Sequence, residues 1–192
     1  MTPVERPIDR AALGWALASI RAANSRRVLD VGCGDGRMTA ELARAAPQVV
    51  GVDPSPAALE RAHASHPQLE LAQMEPSGRL PFEDAAFDAA VCMHVLEHVV
   101  DTQALMSEIR RVLRSRGLLV LAVPYWGRAK NVVVALLSFE RHHDPLEPTL
   151  RFYTPRSLRH LLDAFGFERP ELSAAGRLPL LRETLLARAR RG

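Results

Sequence analysis

Cysteine is nearly absent from this chain: Cys33 and Cys92 are the only two in 192 residues. Two thiols cannot build the framework of a disulfide-stapled domain. One lies in a glycine-rich stretch and one in an apolar run, where a reduced cysteine serves as a small packing residue. Long hydrophobic runs are missing too. The longest near the middle, Val132-Val133-Val134-Ala135-Leu136-Leu137, falls far short of the roughly 20 residues of a membrane-spanning helix. No apolar stretch ahead of a small-residue cleavage site marks a signal peptide, so the expectation is a cytoplasmic enzyme without stable membrane insertion. Charge of one sign is not in excess either. Lys and Arg total 25 against 22 acidic residues, too slight an imbalance to argue for nucleic acid as a partner. The basic residues are spread along the chain except for Arg188, Arg190 and Arg191, which read as a solvated end. There are no repeats and no low-complexity segments.

What is present suits a single domain over 1–192, long enough to bury a full core. Apolar strands are expected at Arg27 to Val31, Val49 to Asp53, Leu69 to Met74, Phe87 to Met93 and Leu118 to Val123. Two shorter ones follow near Phe167 to Leu172 and Thr184 to Ala189. Helices fall between them. Asp9 caps one with Leu13, Ala16, Leu17 and Ile20 at helical spacing. Another runs from Gly36 through Met38, Leu42 and Ala46 and stops at Pro47. Ser55-Pro56 starts a short one. Asp101 or Thr102 caps the next, and Thr154-Pro155 opens the last, closed by Gly166. Continuous apolar strands separated by helices indicate an α/β fold. The expectation is a Rossmann-like, doubly wound, mostly parallel seven-stranded sheet with helices on both faces. Residues 124–153 interrupt the rhythm as an insertion after strand five. Within it a helix is expected from Asn131 to Phe139, followed by the polar stretch Glu140 to Pro145.

The most informative stretch is Val28-Leu29-Asp30-Val31-Gly32-Cys33-Gly34-Asp35-Gly36. A strand ending in a carboxylate runs into three glycines at alternate positions. A strand feeding a glycine-rich turn and then a helix is how α/β proteins hold nucleotide-like ligands. The third glycine comes one position too early for the dinucleotide pattern G-x-G-x-x-G. Asp30 would also repel a pyrophosphate. A carboxylate beside such a turn suits a ligand with an amino group and no phosphate. Asp53, about twenty residues after Gly32 at the end of strand two, is placed to accept hydrogen bonds from ribose hydroxyls.

These segments resemble a known family. Asp30 to Gly36 looks like the first motif of class I S-adenosylmethionine-dependent methyltransferases, and Gly51-Val52-Asp53-Pro54-Ser55 like their second. Leu80-Pro81-Phe82-Glu83-Asp84-Ala85-Ala86-Phe87-Asp88 resembles the lead into strand four. Val95-Leu96-Glu97-His98-Val99 and Phe152-Tyr153-Thr154-Pro155-Arg156-Ser157-Leu158 resemble segments of the subgroup that includes ubiquinone-biosynthesis O-methyltransferases. The resemblance spans nearly the whole chain, in order. It implies S-adenosyl-L-methionine as cofactor, with Gly32, Cys33 and Gly34 approaching it. Asp30 would then lie near its ammonium group and Asp53 (followed by Pro54) on the ribose. Met74 and Glu75 fall where the family contacts adenine, although Glu75-Pro76 stands here in place of the usual Asp-Ala pair. Met93 is expected beside the methionine portion.

Methyl transfer from a sulfonium is an in-line displacement with a neutral leaving group, so alignment and exclusion of water supply most of the effect. A hydroxyl or amine acceptor can still need a base. His94 and His98 are the candidates, with Glu97 beside them in the turn after strand four. In the resembling ubiquinone-pathway enzymes a similar trio can hold a divalent metal, and two imidazoles with a carboxylate suit one. The preferred reading here is that Glu97 and His98 cap and pack the turn, so no metal is assigned. Tyr125, Trp126, His142 and His143 are candidate lid residues. The apolar helix of the insertion suits a greasy acceptor, a dimer surface or weak membrane contact. The function expected is methylation of oxygen or nitrogen on a small-molecule acceptor by a monomer or homodimer. A methyltransferase acting on RNA would want a basic face, which the sequence does not display. The rival readings are a nicotinamide-dependent oxidoreductase and a non-catalytic S-adenosylmethionine-binding module.

Overall fold

Seven strands form one sheet in the order β3-β2-β1-β4-β5-β7-β6. The structure, a computed structural model, describes residues 9–125, 127, 131–132, 136, 149–176 and 183–192. In chain order the elements are α1 (Arg10–Ala22), β1 (Arg27–Val31), α2 (Arg37–Leu42), β2 (Gln48–Asp53), α3 (Pro56–Ser65), β3 (Glu70–Gln73) and β4 (Phe87–Met93). Then come α4 (Thr102–Val112), β5 (Leu113–Pro124), α5 (Pro155–Ala164), β6 (Phe167–Ala175) and β7 (Thr184–Arg191). β1 to β5 pair in parallel, and β7 runs antiparallel between β5 and β6.

Alternation along the strands sends side chains to two apolar layers. Leu29, Val31, Ala90, Cys92, Leu119 and Leu121 face α4 and α5, packing on Leu105, Ile109 and Leu158. Val28, Val49, Ala89, Val91 and Val120 face the other way, onto Ala16, Ile20 and Leu42. Both faces are covered, which is why the strands read as unbroken apolar runs. Strand order reverses between β1 and β4, so their carboxyl ends part and leave a crevice there. In open α/β sheets that switch point is where ligands bind.

Several boundaries differ from expectation. α2 stops at Leu42, because residues 43–45 turn before Pro47. β5 begins at Leu113, with Gly117 buried inside it rather than closing the preceding region. Arg188, Arg190 and Arg191 are not a solvated end. They lie on β7, where Arg188 pairs with Glu171 and Arg191 donates to the carbonyls of Arg111 and Leu113. Asn131, Val132 and Leu136 are helical and exposed; the rest of the expected 131–139 helix and the polar stretch to Pro145 lie outside the described residues. Among the described residues no helix is long and apolar enough to cross a membrane.

The start of β1 is clipped to β4 by a single side chain. Asp88 Oδ2 accepts the backbone N–H groups of Arg26 and Arg27 at 2.9 and 2.8 Å, and Oδ1 accepts from Arg114 at 2.5 Å. Removing that carboxylate strands two backbone donors, a loss of about 2 kcal/mol. Urea denaturation is expected to show Asp88→Ala destabilised by that amount and Asp88→Asn by less, because one acceptor survives. Equal stability of Asp88→Ala and the parent would contradict the clip.

Candidate active site at the carboxyl edge of the sheet

The glycine turn between β1 and α2 is built on left-handed backbone. Gly32, Gly34 and Gly36 have φ of 77°, 56° and 80°, a region where an L-side chain is strained. Each glycine has a different neighbour. A Cβ on Gly32 would sit 2.3 Å from Val95 Cγ2, and one on Gly36 would press on Ala62 and Leu69 at 3.1 Å. At Gly34 a Cβ would meet no atom of the described residues within 4 Å. The turn is therefore closed on the protein side at its ends and open at its middle, where a ligand would approach.

β2 holds this turn in place. The Val52 carbonyl accepts the N–H groups of Gly32 and Cys33 at 2.7 and 2.9 Å. Asp53 accepts the Gly34 N–H on Oδ2 at 3.0 Å and the Ser55 N–H on Oδ1 at 2.9 Å. A carboxylate oxygen has two lone-pair sites, so Asp53, half-buried at the strand end, keeps accepting capacity on both oxygens. Cys33 packs inward against Gly51 and is buried.

Asp30 lies beneath the turn, 2 % exposed, and accepts a hydrogen bond from Thr39 Oγ1 of α2 at 2.7 Å. Burial pushes its carboxyl up to about 6, against the Thr39 hydrogen bond and with help from the nearby Asp53 charge. Such an acid favours a cation above it. Met74 is buried and its N–H donates to the Asp53 carbonyl at 3.3 Å. Glu75 is exposed in a tight turn, accepting from Ser77 Oγ at 3.1 Å. Met93 packs on the α1 side of the sheet. These residues, except Glu75, come together around the end of β2 and the β1–β4 crevice.

The turn after β4 forms the other wall. His94 has a left-handed backbone (φ 56°), and its N–H donates to the Ala122 carbonyl at 2.8 Å. Its Nε2 lies 3.3 Å from Asp9 Oδ2 and its Nδ1 3.5 Å from Glu97 Oε1. Burial opposes the imidazolium, but Glu97 and Asp9 outweigh it and raise the His94 pKa. Glu97 is 1 % exposed, and neither carboxylate oxygen has a hydrogen-bond partner among the described residues; His98 Nε2 is 3.9 Å away. Among the described residues no group of three or more His, Cys, Asp or Glu is arranged to hold a metal ion.

Sequence reasoning missed five contacts that support this wall. Asp9 caps α1 and also accepts from Thr184 Oγ1 of β7 at 2.5 Å. Arg151 donates to the carbonyls of Val99 and Val100. Tyr153 OH donates to the Leu96 carbonyl at 3.3 Å, and the Leu150 N–H donates to the Glu97 carbonyl at 2.7 Å. Val95 is the fifth, the side chain that fills the space denied to Gly32. The sequence named Asp9 as a cap and Val95 and Tyr153 within motifs, but none of these contacts. Tyr125 forms a β-bridge with Tyr153; Trp126, His142 and His143, expected as lid residues, lie outside the described residues.

A glycine turn latched by a strand-end acid at a sheet switch point is the geometry of an α/β domain with a ligand crevice at its carboxyl edge. Comparison with known proteins specifies which. The model of the methyltransferase domain family matches residues 6–171. The chain belongs to that family, in the class whose cofactor is S-adenosylmethionine. A probable S-adenosylmethionine-dependent methyltransferase of Mycobacterium tuberculosis is 36% identical over 100 residues, covering 52% of this chain and 36% of that protein. A ubiquinone biosynthesis O-methyltransferase of Alkalilimnicola ehrlichii is 32% identical over 114 residues, covering 57% of this chain and 46% of the relative. This chain thus spans less than half the length of either. In fold it is similar to magnesium protoporphyrin IX methyltransferase of Synechocystis PCC 6803, solved with bound S-adenosylhomocysteine. The TM-score is 0.72 at 18% identity, over 95% of this chain and 83% of that one.

Two outcomes test the site as described. Gly32→Ala places a methyl inside Val95 at a positive φ, and a loss of about 3 kcal/mol in thermal or urea unfolding is expected. Gly32→Ala with Val95→Ala should recover part of it; no recovery would remove Val95 as the cause. Asp30 has a folded-state pKa above its unfolded one. Its contribution to stability is therefore full below about pH 4 and lost as pH rises to about 6. Asp30→Asn escapes that loss. The gain in Tm of Asp30→Asn over the parent, without ligand, is expected to be larger at about pH 7.5 than at about pH 4.5. A gain independent of pH would contradict the assignment.

Proposed function

We propose that the chain transfers a methyl group from S-adenosylmethionine to an oxygen or nitrogen of a small-molecule acceptor. The observation that carries the reading is the glycine turn, open at Gly34 and latched to Asp53 at the switch point of the sheet. Asp53 receives the two ribose hydroxyls on its remaining lone pairs. Gly32, Cys33 and Gly34 let the backbone come close, and Pro54 shapes the exit of the strand. Asp30, a buried acid that favours a cation, lies toward the ammonium group. Met74 lines the adenine end, with Glu75 at its margin. Met93 flanks the methionine portion.

When bound, S-adenosylmethionine supplies a methyl on a positively charged sulfur and departs as a neutral thioether. The chain's own task is to align the acceptor and to receive its proton. His94, gripped between Asp9 and Glu97 with a raised pKa, holds its own proton to higher pH than a free imidazole and orients the turn. His98, partly exposed at the same turn, is the better placed of the two to accept a proton. The buried Glu97 carboxylate, 3.5 Å from His94 Nδ1, favours the charged form of that imidazole.

Calorimetry with S-adenosylhomocysteine is expected to show micromolar binding, weakened in Asp53→Ala by about 2 kcal/mol from lost charge-assisted hydrogen bonds. Unchanged affinity in Asp53→Ala would place the ribose elsewhere. With a methyl acceptor found by screening small molecules against labelled cofactor, His98→Asn should lower turnover while leaving cofactor affinity intact. Cofactor binding without turnover of any acceptor would favour the non-catalytic reading.

A further inference from the structure

The fold undoes the even spread of arginine along the sequence. β1 and β5 start at the edge of the sheet opposite the glycine turn, and antiparallel β7 ends there. Arg26, Arg116 and Arg190 consequently converge on that edge, with Arg169 near the start of β6. Of the 25 basic residues only Lys130 is a lysine, so the charge gathered there is guanidinium, whose planar fork matches phosphate oxygens. The basic surface that the sequence did not display is produced by topology.

Arg169, Arg188 and Arg190 line a concavity of about 290 Å³ closed on its far side by Ser19 and Ala22 of α1. The three are not equivalent. Arg188 is committed: its Nε and Nη2 donate to Glu171 at 3.1 and 2.6 Å, and its guanidinium lies 5.1 Å from the Trp15 ring centroid. That pair forms a fixed wall and spends the Glu171 charge. Arg190 is steered by one bond, Nη1 to the Arg116 carbonyl at 3.1 Å, leaving its other donors. Arg169 is exposed and has no acidic partner among the described residues. Glu168 lies opposite Arg190 in the strand register, and Asp88 on the same edge is taken up by the Arg26 and Arg27 N–H groups and Arg114. The carbonyls at the end of α1 are capped by the N–H groups of Ala23, Asn24 and Ser25, which blunts their partial negative charge.

Backbone strain points to the same place. Arg116 and Arg169 have φ of 60° and 53°, conformations that cost an L-residue and that glycine adopts freely. Arg169 sits where the β6 register shifts between Glu168 and Glu171, a bulge that re-aims its side chain. Arg116 turns its carbonyl onto Arg190. Strain of this kind clusters at functional sites. We infer that this cleft binds a phosphate-bearing small molecule, with Arg169 and Arg190 supplying the donors against the Arg188–Glu171 wall. Its volume exceeds a single phosphate, so linked phosphates are the favoured ligand class. The site stands at the far edge from the methyl-donor turn and does not depend on the reaction proposed above.

Pyrophosphate and inorganic phosphate titrated into the chain by calorimetry test it, with S-adenosylhomocysteine as the control ligand. Pyrophosphate is expected to bind, and more tightly than phosphate. Arg169→Gly and Arg190→Gln should each weaken it at least about tenfold, the loss of one charge-assisted pair. Arg26→Gln, on the same edge but outside the cleft, should leave it unchanged, and all three variants should bind the control ligand normally. Arg169→Gly keeps the bulge and relieves its strain, so binding lost at an equal or higher Tm reports the guanidinium and not unfolding. Absence of pyrophosphate binding, or full binding by Arg169→Gly, overturns the proposal. Equal weakening by Arg26→Gln, with competition by a short oligonucleotide, overturns it in favour of a diffuse field along the edge.

Discussion

The hydrogen bond from the Gly34 N–H to Asp53 is the interaction on which the site depends. A turn of three left-handed glycines has many conformations open to it. Here one carboxylate, together with the Val52 carbonyl accepting from Gly32 and Cys33, ties its backbone to β2. In the complex proposed above the same side chain would face the ligand, so the group proposed to read the ribose is also the group that shapes the loop. Gly32 carries the order across the crevice. Its missing Cβ is the space Val95 occupies, and Val95 opens the turn that bears His98 and Glu97. The glycine turn and the turn after β4 are thereby set in register by one side chain meeting one absent atom.

Charge is segregated along the strands. At the carboxyl edge lie Asp9, Asp30, Asp53 and Glu97, the last buried without a hydrogen-bond partner among the described residues. Asp30 is raised by its burial and further by Asp53. Asp30 and Glu97, both buried, disfavour an anionic ligand and favour a cationic one. S-adenosylmethionine carries an ammonium and a sulfonium, which is the charge such an edge suits. At the opposite edge the arginines gather. A net charge of +3 conceals both, since it averages over the two ends of the sheet.

The parts of this account legible in the sequence are those set by short spacing. Asp30 to Gly36 had to be a strand and a tight turn, because alternate glycines after an apolar run permit little else. Asp53 could be matched to it because one β–α–β unit has a characteristic length. The β4 boundaries were readable because Phe87 to Met93 is a clean apolar run. Contacts between distant segments were not. Asp9 looked like a helix cap and is one, but its bonds to Thr184 and His94 join residues far apart in the chain. The arginines of β1, β5, β6 and β7 looked dispersed because only the sheet's direction brings them together. Gly117 looked like a terminator and proved to be buried in a strand, since packing outweighed its local preference. α2 proved shorter than its apolar spacing suggested, the chain turning well before Pro47.

The central claim is that Asp53 both latches the glycine turn and holds the ribose. A crystal structure of the chain with S-adenosylhomocysteine tests it most directly. The account predicts the two ribose hydroxyls within hydrogen-bond distance of the Asp53 carboxylate, with the Gly34 N–H still bonded to the same side chain. A ribose placed elsewhere, or a turn that abandons Asp53 when the ligand binds, would contradict it.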